Sequence, residues 1–386
     1  MELMKASEQW SSRPNDQRFW NVSELYAAVN AHRAAARTGT VNIGDMQVQA
    51  IDNDIQIVGK TGTFAKLTSW AFGQLAARAK APAAYLRSLK AETAVTCLNE
   101  GLQGNTDTAK VLLHENGGYF CRAVTSEKYT RIWNEDIVSR LLGFEAEGWR
   151  VPPAYAIGSQ DYDISNPESL VAANVRLATA EDAKLSLTIK EGTPISPSGL
   201  YASFEDMFAF MVHPDKVVKD GSTDGLMRGF LVWNSEVGKA TFGVQTFYFR
   251  GVCGNHIIWG ATDVKEIRLR HVGNADDRAF AGLSVELKKY AEESATDIED
   301  KIKIAKNFVL KHKTADELVD FIFAQRILTR KDALAAYQAV VPDEDGAPYT
   351  AWGFAQGITR LSQQSANADD RVSLDRAAGK VIDMAF

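Results

Sequence analysis

The chain has 386 residues, of which 45% are hydrophobic and 24% are charged. These proportions are typical of a globular protein and exclude a disordered or low-complexity chain, and the length predicts two or three cores. The formal net charge is −6, which excludes a protein that coats nucleic acid with its whole surface, because such binding neutralises phosphates with an excess of basic residues. Nucleic-acid binding would therefore require a local basic surface.

The compartment is indicated by what the sequence lacks. Residues 1–8 contain neither the basic nor the apolar segment of a signal peptide, and the chain has no run of 18 apolar residues. Cys97, Cys121 and Cys253 are far apart and show neither a disulfide framework nor a CxxC metal spacing. We therefore expect a cytoplasmic protein with reduced thiols and no membrane association.

The first 148 residues are predicted to mix helices and strands. An Ala-rich helix is expected over 22–37, with Asn21 or Ser23 as its N-cap. Two alternating runs, 46–51 and 55–58, predict a β-hairpin. The remaining elements are helices over 68–102 with a break near Pro82, a strand pair at 110–113 and 119–124, and a short helix that is capped by Asn134 and ends near Gly143.

The central part of the chain is predicted to be mainly β. Residues 149–224 are rich in proline and turn residues, with strands expected at 185–189 and 207–212. Strand-like runs with short breaks then follow at 226–233, 241–250, 252–259 and 264–271. This spacing favours an antiparallel meander.

The last third is predicted to be helical. The helical pattern covers 279–340, with Thr314 and Thr329 as N-caps, and it resumes after a break at 346–348. The fold class is therefore α+β, an antiparallel β-meander packed by helices with a helical C-terminal third. The predicted regions are an α+β region at 1–148, a central sheet with a long helix at 149–313, and a helical region at 314–386.

Signals of catalysis are weak. Residues 58–62 resemble a phosphate-binding loop, but Asp54 occupies the position of the first Walker A glycine, so a hairpin end with a solvated lysine is the better interpretation. Cys253 and His256 would point to opposite faces of a strand unless the chain bulges there. The histidines, His32, His114, His213, His256, His271 and His312, are too widely spaced to predict a metal site. No cofactor is predicted.

Basic residues carry more information about function. Arg268 and Arg270 alternate with apolar residues and share one face of a predicted strand, and lysines share one face of the following helix. Such faces are often simply solvated, but they can also line a groove in which Tyr129, Trp133 or Trp233 stacks on bases. The candidate nucleic-acid-binding residues are Arg122, Lys128, Tyr129, Arg131, Arg228, Arg250, Arg268, Arg270, Lys303 and Lys306.

Several of these residues belong to longer motifs. The runs Gly199–Phe210, Arg228–Gly238, Arg250–His256 and Arg122–Tyr129 resemble those of a large phage/plasmid-like family of uncharacterised proteins. The resemblance implies an origin in a prophage, phage or plasmid, and it implies no activity.

Polar residues inside these motifs leave two interpretations open. Asn234, Ser235 and Glu236 follow an apolar strand, where they could close a turn. Alternatively, they could form a hydrogen-bonding cluster with Asn255 and His256 on the neighbouring strand.

The leading hypothesis is an accessory protein of a mobile element that binds single-stranded DNA in annealing or recombination and forms a homo-oligomer. A β-meander followed by a long helix is similar to the β-β-β-α core of single-strand annealing proteins, which need cations and aromatics rather than a catalytic dyad. The alternatives are a non-enzymatic interaction protein that acts on a host component such as a host protein, an enzyme that uses Cys253, His256 or Glu236, and a structural role in a virion.

Overall fold

The computed structural model describes residues 13–386 except for 60–61, 156–161, 186–188, 198, 222–224, 251–254, 258–266, 293, 311–313 and 364–367. Elements of the N-terminal part are β1 (Arg18–Phe19), α1 (Val22–Ala34), β2 (Ala36–Asn42), β3 (Gln47–Ile51), β4 (Asp54–Val58), β5 (Phe64–Leu67), α2 (Ser69–Arg78), α3 (Ala83–Ser88), α4 (Ala91–Leu102), β6 (Thr108–Glu115), β7 (Tyr119–Ser126) and α5 (Asn134–Ala146). The predicted mixture of helices and strands is confirmed.

Local sequence determines several of these elements. The side chain of Asn21 accepts a hydrogen bond from the backbone N–H of Glu24 and so caps α1 as expected. Asp52 and Asn53 both have positive φ, at 49° and 64°, the backbone that a two-residue hairpin turn between β3 and β4 requires. The sheet of this region has the order β2-β6-β7-β5-β4-β3, and α2 and α4 contribute to the hydrophobic core that also contains its strand residues.

The central elements are β8 (Ala154–Tyr155), α6 (Pro167–Ala172), β9 (Arg176–Leu177), α7 (Ala180–Leu185), β10 (Pro194–Ser196), β11 (Leu200–Ala202), β12 (Met207–Val218), β13 (Leu226–Asn234), β14 (Phe242–Arg250), β15 (Asn255–Ile257) and β16 (Ile267–Leu269). The prediction of a strand over 185–189 is wrong at its first residue, because Leu185 is the last residue of helix α7. Residues 186–188 lie outside the described residues.

The main sheet is antiparallel, as predicted, but its order differs at one edge. Its strands run β1-β11-β12-β13-β14-β15, and β16 pairs with β14 rather than with β15. Both short strands share the free edge of β14, with β15 at its C-terminal end and β16 at its N-terminal end. This return of the chain brings Arg268 beside Gly243.

The last elements are α8 (Ala275–Glu292), α9 (Ala295–Asn307), α10 (Ala315–Ala324), α11 (Arg330–Ala339), α12 (Pro342–Asp345), α13 (Ala351–Gln363) and α14 (Ala368–Asp383). Thr314 and Thr329 cap α10 and α11 through their hydroxyls, which confirms both predicted caps. In the described part of the chain, none of the helices has the length and apolar character needed to cross a membrane.

The two faces of the main sheet have different neighbours. Phe230 and Val232 of β13 face the largest hydrophobic core, which also contains residues of α1, α5 and the C-terminal helices. Leu231 and Trp233 alternate with them and face a second cluster, which contains Tyr201, Phe208, Phe210 and Phe247. Tyr201, Phe208 and Trp233 of this aromatic face also line the candidate site described below. The division into three regions stays a prediction, since the largest core draws residues from all of them.

Candidate nucleic-acid interface

Two of the predicted binding residues are buried. Arg122 is 1% exposed, and its Nη2 lies 2.8 Å from Oε2 of Glu236. The same guanidinium donates two hydrogen bonds, of 3.1 and 2.8 Å, to the carbonyl oxygen of Phe204. Arg228 is 3% exposed and donates to the carbonyl oxygen of Tyr290. Both arginines therefore stabilise the interior, and this corrects their assignment to a surface that contacts phosphates.

The polar signature residues connect the main sheet to the segment that precedes α5. Asn234 donates from Nδ2 to the carbonyl oxygen of Ile132 at 2.8 Å and to Oδ1 of Asn134 at 2.7 Å. Ser235 Oγ accepts from the backbone N–H of Lys239 at 3.0 Å and so helps to close the turn. Ser235 thus takes part in the turn, as the first interpretation has it, whereas Asn234 bonds to the segment before α5 instead.

Glu236 is the centre of this connection. It is 2% exposed, and its Oε1 accepts a hydrogen bond of 2.9 Å from the backbone N–H of Asn134, the first residue of α5. A carboxylate at this position also interacts favourably with the helix dipole. Because Oε2 pairs with Arg122, both carboxylate oxygens have structural contacts, which argues against Glu236 as a catalytic base.

The predicted cluster with Asn255 and His256 is excluded by strand register. Trp233, the neighbour of Asn234, pairs with Gly243 at the start of β14, whereas Asn255 pairs with Arg250 at its end. Seven residues of strand separate these positions by roughly 20 Å. The side chains of Arg250, Asn255 and His256, and all of Cys253, lie outside the described residues.

Tyr129 and Arg131 are engaged within the protein. The hydroxyl of Tyr129 donates to the carbonyl oxygen of Ser235 at 2.9 Å, and its ring stacks on His271 with 4.9 Å between centroids. Burial raises the pKa of Tyr129. Arg131 donates to the carbonyl oxygen of Glu236, and its guanidinium lies 5.5 Å from the Tyr129 ring. These contacts leave the Tyr129 ring little surface for a base.

The remaining predicted cations differ in their exposure and in their partners. Lys128, Arg268 and Arg270 are exposed. Lys303 is exposed too, but it pairs with Asp300 at 2.8 Å, and Lys306 donates to the carbonyl oxygen of Asp220. Because Arg122 and Arg228 are buried, the described members of the predicted set do not form one continuous basic track, and a role in nucleic-acid binding stays a prediction for the exposed members.

One pocket collects aromatic and cationic side chains around Arg268. Its volume is about 520 Å³. The lining contains the aromatic residues Trp70, Tyr201, Phe208 and Trp233, the cations Lys239, Arg268 and Arg376, and the carboxylate of Asp206. The lining thus combines four aromatic side chains with three cations and one carboxylate.

Trp233, Gly243 and Arg268 form a row across three strands at this pocket. Trp233 pairs with Gly243 of β14, and Gly243 pairs with Arg268 of β16. A Cβ on Gly243 would lie 1.9 Å from the Trp233 ring, so the indole lies directly on the glycine backbone. The Arg268 guanidinium is 5.8 Å from the indole centroid. An indole ring and an exposed cation that lies over it are thus held together at the pocket.

Neighbouring charges are largely matched within the protein. Lys239 lies 3.0 Å from Glu205 and 3.7 Å from Asp206. Arg13 contacts Asp206 at 2.8 Å and lies 3.7 Å above the Tyr201 ring. The acidic side chains at this end of the sheet are therefore held by Lys239 and Arg13.

Comparison with protein families identifies the domain that carries most of this pocket. A family model described as a domain of unknown function, DUF932, matches residues 179–379. The chain belongs to the DUF932 family. No curated protein and no solved structure matches the chain. The DUF932 span includes Trp233, Lys239, Arg268 and Arg376, whereas Trp70 comes from outside it.

Sequence reasoning identified Trp233 and Arg268 but missed most of the other pocket residues. Trp70 and Arg376 are 306 positions apart in the chain, and no local pattern relates them. Gly243 offered a weak signal, because a glycine inside a strand often marks the close approach of another group. Within the described residues, no group of three or more His, Cys, Asp or Glu side chains is placed to hold a metal ion.

Proposed function

We propose that the protein binds single-stranded nucleic acid through the pocket at Trp233 and Arg268, as an accessory protein of a phage or plasmid that acts in annealing or recombination. The observation that carries the proposal is the row of Trp233, Gly243 and Arg268 at the wall of this pocket. A base can stack on the indole while its phosphate meets the guanidinium. Binding without sequence preference combines these two interactions.

Because the protein is acidic overall, we expect it to bind phosphates at this pocket and not over the rest of its surface. With a net charge of −6, most of the surface repels phosphates, so affinity depends on few contacts and falls as salt rises. We therefore expect weak, salt-sensitive binding of single strands.

The proposed role in a phage or plasmid is supported by other observations. The motif resemblance to phage/plasmid-like proteins favours a mobile element, and the antiparallel sheet followed by α8 favours an annealing factor. Annealing proteins commonly act as rings, so we propose a homo-oligomer, for which the native mass in solution is the direct measurement.

Fluorescence anisotropy with a labelled oligothymidylate tests the proposal. The unaltered protein should bind at low salt and more weakly at physiological salt. Trp233→Leu should weaken binding by roughly 5- to 150-fold, because base–aromatic stacking contributes about 1–3 kcal/mol. Trp233→Phe should retain most of the affinity, since it keeps an aromatic face.

Arg330→Ala is the matched control for Arg268→Ala. The side chain of Arg330 is 60% exposed and pairs with Asp320 on helix α10, so its loss should leave oligonucleotide affinity unchanged. Absence of binding even at low salt would refute the proposal, as would equal affinity of the Arg268→Ala and Arg330→Ala variants.

A further inference from the structure

We infer that the pocket holds a single nucleotide unit, one base with its phosphate, rather than a stretch of strand. The inference rests on the proposed function and specifies the ligand of the same site. It distinguishes a protein that captures a strand end or a free nucleotide from one that follows a backbone.

The size of the pocket supports one unit. Its volume of about 520 Å³ lies in the range of about 300–1,000 Å³ that is typical of small-molecule sites. Modules that follow single strands bind about 4–16 nucleotides along an open groove. This pocket is instead bounded on several sides, by Trp70 of α2, by the ends of β12 and β13, and by residues 239–241 between β13 and β14.

Two guanidinium groups line this pocket, those of Arg268 and Arg376. Arg268 stands beside Gly243 through strand pairing. Arg376 of α14 donates to Oε1 of Gln245 from both Nε and Nη2, at 3.2 and 3.1 Å. Gly243 and Gln245 are two residues apart on β14 and so share one face. Gln245 occupies the Nε–Nη2 edge of Arg376, so a phosphate at this end of the pocket would contact the Nη1 side of Arg376 and the guanidinium of Arg268.

The other wall of the pocket is aromatic and therefore suits the base. Trp70 and Trp233 are half-buried and both line the pocket, as does the stacked pair of Tyr201 and Phe208, whose centroids are 5.5 Å apart. Asn234 also lines the pocket, but its side chain is fully buried and donates to Ile132 and Asn134 inside the protein, so this wall offers a base stacking surfaces rather than a hydrogen-bond partner.

Competition experiments distinguish this inference from the proposed function. Deoxyadenosine monophosphate should displace the labelled oligothymidylate and quench tryptophan fluorescence, and this quenching should be lost in Trp233→Leu. Deoxyadenosine and inorganic phosphate, tested separately, should each bind at least about tenfold more weakly, because each lacks one of the two interactions.

Two variants distinguish the loss of a phosphate contact from a general loss of structure. Arg376→Gln should lower affinity for the mononucleotide by about tenfold, the effect of losing one charge-assisted hydrogen bond, while affinity for deoxyadenosine stays the same. Arg330→Ala should change neither affinity. If Arg376→Gln lowers both affinities equally, the assignment of the phosphate is refuted.

The remaining outcomes identify the source of the nucleotide. Tighter binding of an oligonucleotide with a 5′-phosphate than of one with a 5′-hydroxyl supports capture of a strand end. Tight binding of the mononucleotide with no preference between the two ends supports capture of a free nucleotide. Oligonucleotide binding that the mononucleotide does not compete with overturns the inference and leaves the proposed function intact. Absence of binding by both overturns both.

Discussion

Replacing Glu236 by glutamine tests the connection between the main sheet and the N-terminal region. The side chains of Glu236 and Arg122 are 2% and 1% exposed and lie 2.8 Å apart. Glutamine preserves the shape of the side chain and an oxygen that can still accept from the N–H of Asn134. It removes the negative charge and so leaves a buried guanidinium without its counter-charge.

The expected loss of stability follows from that burial. Removing one partner of a buried ion pair typically costs about 3–5 kcal/mol, and we expect Glu236→Gln to lie in this range because its NH2 group, a donor, would face the donors of Arg122. Asp300→Asn is the matched control. Its pair with Lys303 is mostly exposed, with side-chain exposures of 63% and 70%, and exposed pairs contribute at most about 1 kcal/mol.

Urea unfolding followed by tryptophan fluorescence measures the difference. Glu236→Gln should shift the midpoint strongly to lower urea, and Asp300→Asn should barely shift it. The double variant Arg122→Met/Glu236→Gln should be less destabilised than the sum of its two single variants, because the uncompensated charge is gone. Equal midpoints for Glu236→Gln and Asp300→Asn would refute the reasoning.

Three further predictions concern acid, packing and thiol chemistry. Burial lowers the pKa of His32 and that of His271 to about 4, below the unfolded value of about 6.5. The unfolded state therefore binds these protons more readily, and stability should fall by up to about 3 kcal/mol per histidine as pH drops from about 6.5 to about 4; a melting temperature that does not change over this window would contradict this. Gly243→Ala should displace the indole that lies on it, lowering stability by about 1–3 kcal/mol and weakening oligonucleotide binding, and anisotropy equal to that of the unaltered protein would argue against the site. Burial raises the pKa of Cys121 to about 12, whereas Cys97 is exposed, so peptide mapping after iodoacetamide treatment of the native protein should find Cys97 modified and Cys121 protected.

Local patterns predicted the elements that depend on neighbours in sequence. The caps at Asn21, Thr314 and Thr329 need only a hydroxyl or amide a few residues from a free N–H. The hairpin at Asp52–Asn53 likewise needs only residues that tolerate positive φ. Such interactions are short in sequence, and a single sequence therefore contains them completely.

Strand order at the sheet edge was not predictable in the same way. The spacing of the apolar runs indicated a meander, but the pairing of β16 with β14 depends on where the chain turns after β15. Alternation specifies which side chains share a face of a strand and says nothing about the neighbouring strand. As a result, Arg268 was expected on a basic strand face, and its position beside Trp233 was not.

By itself, the sequence determined the α+β class, the helical C-terminal third, the acidic balance and the identity of the charged and aromatic residues. Only the tertiary structure decided which charges are accessible. Arg122 and Glu236 are 114 positions apart, and their pairing buries a cation that the sequence presents as a candidate for binding phosphate. The physical reason is that the free energy of a charge depends on its solvent exposure and on its nearest counter-charge, and both are set by residues that are distant in the chain.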